Sequence, residues 1–260
     1  VLERMLSSGH RVRALTRNDE GAARLSAIGA EPVRGDVLIP DSLARAADGC
    51  DLVIHIAGAN AFCLPDPSPL YAMNVDGVRN MVRAAARAGV RRIVHTSSAA
   101  TIGEQHGTVG SEDSPHRGDF LSHYERSKWE GEQVAFDEAA GQGIELVSVN
   151  PSSVQGPGRT GGTAKLLIGY LNGTLRALID SRMSVIDIAD CAEGHILAAE
   201  RGTPGRRYIL SGTTLSVREA VSLMGQVAGI DSHPRVLPGW AAMGMARAVG
   251  KAGRMRGRRA

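Results

Sequence analysis

The chain has 260 residues, of which 43% are hydrophobic, 22% charged and 3% aromatic, with a formal net charge of +3. That length suits one large domain or a domain with a smaller lobe, and Val, Ile, Leu and Ala recur along nearly all of it, which excludes low-complexity disorder. No run of about eighteen uncharged apolar residues occurs, which excludes a membrane-spanning helix, and the opening Val1-Leu2-Glu3-Arg4 lacks a basic-then-apolar leader, so secretion is not expected.

A short β-like run covers residues 10–16, after Gly9. Residues 51–57 are almost continuously apolar, as expected of a strand buried on both faces. Residues 91–97 and 143–149 repeat that pattern. Between them, Val75, Val78, Val82 and Ala85 fall at helical spacing, with Gly89 placed to end the helix, and a second helix runs from Tyr124 toward Ala140. Strands alternating with helices at this spacing predict an α/β fold, a doubly wound parallel sheet with helices on both faces. Beyond about residue 151 the rhythm changes. Gly156-Pro157-Gly158 and Gly161-Gly162 mark a loop, followed by shorter helices and two short strands near Val185 and Tyr208. This reads as a smaller lobe for substrate contacts.

The last ten residues carry Lys251, Arg254, Arg256, Arg258 and Arg259 and no acid. A nucleic-acid arm is one reading of this tail; an ordinary exposed end is preferred, and no nucleic-acid partner is expected. Cys50, Cys63 and Cys191 are odd in number and form neither a disulfide framework nor a Cys-x-x-Cys metal pair, which fits a reducing cytoplasm. Asp187, Asp190, Glu193 and His195 match no ligand spacing, so no metal is expected.

Chemistry concentrates at Tyr124-Glu125-Arg126-Ser127-Lys128. Four residues apart on a helix, Tyr124 and Lys128 share a face. A phenol of pKa about 10 is a poor base at neutral pH, and an adjacent ammonium favours the phenolate. A fall of three units requires about 4 kcal/mol, attainable beside a charged nucleotide. The pair can then exchange a proton with a carbonyl or alcohol oxygen. With four Tyr and only three Lys, such a pair arises by chance in about one sequence in twenty, and a solvated helix face is the competing reading. The pair has company, because Thr96-Ser97-Ser98 follows directly on a buried strand, where hydroxyls meet the ligand crevice of a parallel sheet.

Together the stretches RVRALTRN, VRGDV, DLVIHIAGAN, YAMNVDGVRNMVRAA, RRIVHTSSAATIG, HYERSKWEGEQV, NPSSVQGPG and VIDIADCAEGHILAAERG resemble the extended short-chain dehydrogenase/reductase superfamily, in its NAD-dependent epimerase/dehydratase group. Within that group the chain is most similar to dihydroflavonol-reductase-like proteins and hopanoid-associated sugar epimerases. The resemblance implies an NAD(P)-binding Rossmann-type domain over residues 1–150 and a smaller substrate lobe over 151–260, interleaved with the first. It implies Tyr124 as catalytic acid/base, Lys128 holding the nicotinamide ribose and lowering the Tyr124 pKa, and Ser98 bonding the substrate oxygen. Asn74 would support them, or simply pack a helix against a strand. Asp36 and Val37 would reach the adenine, Ala57 and Gly58 the diphosphate and ribose, and Pro151 and Ser153 the nicotinamide. A homodimer through the helix carrying Tyr124 is also implied.

Arg17, where an acid would bind the 2′-hydroxyl of NAD, suits the 2′-phosphate of NADP, so NADP(H) is expected, with NAD possible. The family's Gly-x-Gly-x-x-Gly turn is missing from the start of the chain, and the Gly-rich stretches at 107–110 and 156–162, the second of which has that spacing, are not expected to join the first strand to the first helix. The chain is therefore expected to open inside the first helix, lacking the first strand and its phosphate-cradling turn, to bind dinucleotide poorly as written, and to end short of its relatives. The expected activity is hydride transfer between the nicotinamide and a carbonyl or alcohol substrate. A sugar epimerase/dehydratase and a non-catalytic NADP sensor are the alternatives. The polar loop from Gly107 to Phe120, with His106, His116 and His123 in and beside it, is a candidate lid or a plain surface loop. Trp129, Phe120, Tyr170 and Trp240 are the aromatics available to stack on a flat substrate, although Trp129 is expected to pack.

Overall fold

A computed structural model describes residues 1–61, 64–231 and 234–241; the basic tail and Cys63 lie outside the described residues. The chain forms two compact units, Val1–Phe62 with Asp66–Ser152 and Ala189–Leu210, and Cys63–Pro65 with Ser153–Ile188 and Ser211–Ala260.

The first unit begins with α1 (Leu2–Ser7), β1 (Arg13–Thr16), α2 (Asp19–Ala27), β2 (Glu31–Arg34), α3 (Pro40–Ala47) and β3 (Leu52–His55). It continues through α4 (Ser68–Tyr71), a π-turn (Ala72–Asp76), α5 (Gly77–Arg87) and β4 (Arg92–Thr96). A 3-10 turn (Ala99–Ile102), α6 (His123–Gln142) and β5 (Glu145–Pro151) follow. In the second unit come β6 (Ser153–Gln155), α7 (Ala164–Leu171), β7 (Ala177–Ile179) and β8 (Arg182–Asp187). Most of α8 (Ile188–Arg201) and all of β9 (Arg207–Leu210) belong to the first unit, and β10 (Thr213–Ser216), α9 (Val217–Ala228) and β11 (Arg235–Leu237) to the second.

Strands β3, β4, β5 and β9 form one parallel sheet in that order, and β1 and β2 form a separate parallel pair. No strand precedes α1 among the described residues, and β1 is not hydrogen-bonded to β3. The strand near Tyr208, expected in the smaller lobe, instead closes the sheet edge against β5, pairing Tyr208 with Val149. The expected strand at 10–16 shrinks to Arg13–Thr16.

The β4 and β5 sequences alternate between two cores. Ile93 and Leu146 face one core with Val78, Val82 and Ala135 of the α5 and α6 helices. Val94, Val147 and Val149 face the other with Ala198 of α8. Both faces are therefore covered, which is why Ile93-Val94 and Leu146-Val147 are adjacent apolar pairs in these strands. Helix α6 starts where the Ser122 hydroxyl accepts the Glu125 N–H and stops at left-handed Gly143. Its Gly131 is required by a close approach, since a Cβ there would fall 2.0 Å from the Asn74 carbonyl oxygen.

The second unit is built on a three-stranded sheet, β10-β8-β6, in which β8 and β10 are antiparallel and β6 and β8 parallel; β7 and β11 pair separately. Reciprocal Ser216–Glu219 bonds cap α9. Tyr170 is buried and donates its hydroxyl to the Ile230 carbonyl, so this aromatic is spent on packing.

Candidate active site

The carboxyl ends of β3 and β4 and the first two turns of α6 bring several of the sequence candidates together. Lys128 is buried, and its Nζ donates to the Thr96 carbonyl at the end of β4 (2.8 Å). Burial pushes the Lys128 pKa down to about 8, with Glu132 opposing the fall. Two ammonium hydrogens remain for other acceptors. Two residues past Thr96, Ser98 caps the 3-10 turn, where its Oγ accepts the Ala100 N–H (3.2 Å) and keeps its own hydrogen to donate. Tyr124 lies half-buried one turn before Lys128 on α6.

Asn74 is almost fully buried in the π-turn, a local widening often found at functional sites. Its Oδ1 accepts the Ala59 N–H (2.8 Å), and its Nδ2 donates to the Ala59 carbonyl (3.0 Å) and Ser127 Oγ (2.9 Å). It thus ties the loop after β3 to the helix carrying Tyr124 and Lys128. Ala57 and Gly58 lie exposed on that loop, and a Cβ at Gly58 would sit 3.6 Å from Lys128 Nζ.

Arg17 follows β1 and Asp36 follows β2, with Arg17 Nη1 3.9 Å from Asp36 Oδ2. Val37 is a core residue and leaves only backbone to a ligand; its carbonyl accepts from Asn80 Nδ2 (3.1 Å). Pro151 ends β5, paired with Leu210. Ser153 opens β6 in the second unit, its Oγ 2.6 Å from Thr163 Oγ1.

The residues that could meet a dinucleotide are the Arg17–Asp36 pair, and the exposed Ala57-Gly58 backbone near the buried Lys128 ammonium. The Gly156–Gly162 stretch between β6 and α7 has the Gly-x-Gly-x-x-Gly spacing but lies in the second unit, and no stretch with that spacing joins a strand to a helix among the described residues of the first unit.

The polar loop is pinned at several points. Arg117 N–H donates to the Gly103 carbonyl, Leu121 N–H to Glu125 Oε2 (2.7 Å), and the Arg117 guanidinium pairs with Glu125. Ile209 N–H reaches Glu112 Oε1 (2.9 Å). His116, Phe120 and Trp129 form a ring cluster with centroids 4.9–5.6 Å apart, so Trp129 packs. His195 has one ring nitrogen 2.9 Å from Thr96 Oγ1 and the other 2.7 Å from the Cys191 carbonyl. Glu193 pairs with Arg4.

The NAD dependent epimerase/dehydratase family profile matches residues 1–211. The chain belongs to this family. It is 32% identical to cinnamoyl-CoA reductase 1 of Petunia hybrida over 244 residues, 85% of this chain and 71% of that protein. Sterol demethylase protein B of Methylococcus capsulatus is 28% identical, with 90% of this chain and 71% of that protein covered. Among solved structures, gox2253 superposes with a TM-score of 0.89 at 29% identity, covering 99% of this chain and 79% of that one. PA4631 of Pseudomonas aeruginosa, described as a nucleoside-diphosphate-sugar epimerase, gives 0.79 at 26% identity, covering 98% and 80%. The protein is thus an extended short-chain dehydrogenase/reductase with a Rossmann-type fold, and its relatives are oxidoreductases, epimerases and dehydratases. No helix among the described residues is long and apolar enough to cross a membrane.

Sequence reasoning gave no role to Thr101, Glu132 and Asn150, which are buried beneath the site. Glu132 follows Lys128 by one helical turn, and that spacing was the available signal.

Proposed function

We propose that the protein reduces a carbonyl compound with NADP(H), with Tyr124, Lys128 and Ser98 as the reacting set. The observation that carries this reading is Lys128: a buried ammonium fixed to the end of β4, one turn from Tyr124, beside the exposed Gly58 backbone. The nicotinamide, when bound, supplies the hydride to the carbonyl carbon. Ser98 donates its free hydroxyl hydrogen to the carbonyl oxygen, and Tyr124 delivers the proton to that oxygen as it becomes an alcohol. Lys128 stabilises the phenolate left on Tyr124 and offers a hydrogen to the ribose. Ala57, Gly58, Pro151 and Ser153 would border the nicotinamide half, and Asp36 with the Val37 backbone the adenine. Asn74 holds the Ala57–Ala59 loop in place.

Arg17 supports NADP over NAD, since a guanidinium beside the adenosine ribose matches a 2′-phosphate. The odd cysteine number supports a cytoplasmic location, and a homodimer through α6 completes the proposal, to be read by sedimentation equilibrium. The PA4631 likeness favours transient oxidation of a nucleotide sugar as the second reading.

Tyr124→Phe should lower carbonyl-dependent NADPH oxidation by about 10²- to 10⁴-fold while cofactor binding persists. Unchanged turnover overturns the assignment of the acid/base. Stoichiometric NADPH consumption separates a reductase from an epimerase, which consumes none. Cofactor binding with no turnover of either kind would indicate a sensor.

A further inference from the structure

Beneath Lys128 lies a buried polar cluster with no assigned role. Glu132 is fully buried, one turn beyond Lys128 on α6. Its Oε2 is approached by Thr101 Oγ1 (3.2 Å), Ser148 Oγ (3.2 Å) and Asn150 Nδ2 (2.5 Å), and its Oε1 by Arg207 Nη1 of β9 (3.2 Å). Thr101 Oγ1 and Asn150 Nδ2 also lie 2.9 and 3.3 Å from the carbonyl oxygen of Ser98. One carboxylate therefore joins four elements: the helix of Tyr124 and Lys128, the turn that begins at Ser98, and strands β5 and β9.

We propose that Glu132 is a positioning residue for this site, a buried carboxylate that holds the Ser98 turn against the helix bearing Tyr124 and Lys128 and supplies the negative charge facing the Lys128 ammonium. A carboxylate does both tasks at once because it accepts from several donors and stays ionised when they are charged or numerous. A neutral side chain of the same shape keeps part of the clamp and loses the charge. The other ionisable groups around Lys128 are Tyr124 one turn before it on α6, His55 of β3 and His95 of β4, both imidazoles held neutral, and Arg207 of β9, which faces Glu132. Glu132 is thus the acid that offsets the burial of Lys128. The inference rests on the proposed reductase reading for its catalytic consequence, but not for its electrostatic one.

The test uses lysine labelled with ¹³C at Cε, because the chain has only Lys128, Lys165 and Lys251. Lys165→Arg and Lys251→Arg identify the Lys128 resonance. In Glu132→Gln the Lys128 titration should move to lower pH, and in Arg207→Gln, which leaves the carboxylate less compensated, to higher pH. If Glu132→Gln fails to fold, Arg207→Gln carries the test alone. Glu132→Asp, which keeps the charge, should return the titration toward the wild-type position. In the same proteins kcat for carbonyl reduction should fall about 10- to 100-fold in Glu132→Gln, with the NADPH Kd within about twofold, as expected when reacting groups are misplaced. A Lys128 titration that does not move in a folded variant overturns the proposal, and so does an unchanged kcat. Movement of the titration in a protein that turns over no carbonyl substrate overturns the reductase reading and supports the electrostatic role of Glu132.

Discussion

Two groups of buried polar side chains share one row of the central sheet, and they are treated in opposite ways. His55, His95 and Ser148 are cross-strand neighbours on β3, β4 and β5. At the β5 end, Ser148 joins Glu132, Asn150, Thr101 and Arg207, where every oxygen of the buried carboxylate has a donor. At the β3 end, the imidazoles stack 5.6 Å apart, and His55 Nε2 and both nitrogens of His95 have no hydrogen-bond partner among the described residues. Burial, reinforced by the charge on Lys128, drives the His55 pKa down to about 3 and that of His95 well below the ordinary value. The difference teaches that the sheet keeps charge only where donors converge. Elsewhere a titratable group is kept neutral and serves as packing.

The comparison breaks hardest at Glu132. Glu132→Leu should cost about 3–5 kcal/mol in urea unfolding, since the Arg207 guanidinium loses its buried carboxylate and Thr101, Ser148 and Asn150 each lose one of their acceptors. A loss below about 1 kcal/mol would mean the cluster is hydrated and the contrast false.

Acid tests the histidine end. The unfolded state takes up protons near pH 6.5 and the folded state only near pH 3 at His55, so the unfolded chain holds more protons throughout that window and stability falls as pH is lowered. From pH 7 to pH 5, His55 alone should remove about 2 kcal/mol, with His95 adding in the same direction. Urea midpoints across this range measure it.

Ser148→Ala sharpens the boundary between the two groups. It should cost about 1 kcal/mol, because the one Ser148 hydroxyl hydrogen serves either Glu132 Oε2 or Asn150 Oδ1, and Glu132 keeps its other donors. The smallest effect belongs to His95→Leu: within about 1 kcal/mol of wild type at pH 7, since no bonded partner is abandoned, and with a flatter acid profile. A large loss at pH 7 would reveal a bond to the imidazole.

Much of this arrangement was legible residue by residue. Strands β4 and β5 announce themselves because adjacent apolar residues, Ile93-Val94 and Leu146-Val147, point to opposite covered faces of the sheet. The proposed set of Tyr124, Lys128 and Ser98 could be picked out because its pattern is local: a one-turn spacing, and a hydroxyl directly after a buried strand. Glu132 was not, because a glutamate on a long helix carries the same local pattern whether it meets solvent or a closed cage. Asn150 and Thr101 were hidden for the same reason, their partners being contributed by segments 18 and 31 residues away.

The sequence by itself determined the alternation of strands and helices, the polar residues at the strand ends and the family, since each rests on short-range periodicity and motif. Only the tertiary structure decided that β9 closes the sheet on β5, that a π-turn at Ala72–Asp76 aims Asn74 at the Ala59 backbone, and that His55 Nε2 and both His95 nitrogens have no hydrogen-bond partner among the described residues while one carboxylate is approached by four polar groups. Those outcomes depend on which distant backbones approach within hydrogen-bond range, a property of the packed sheet that no local stretch of the chain contains.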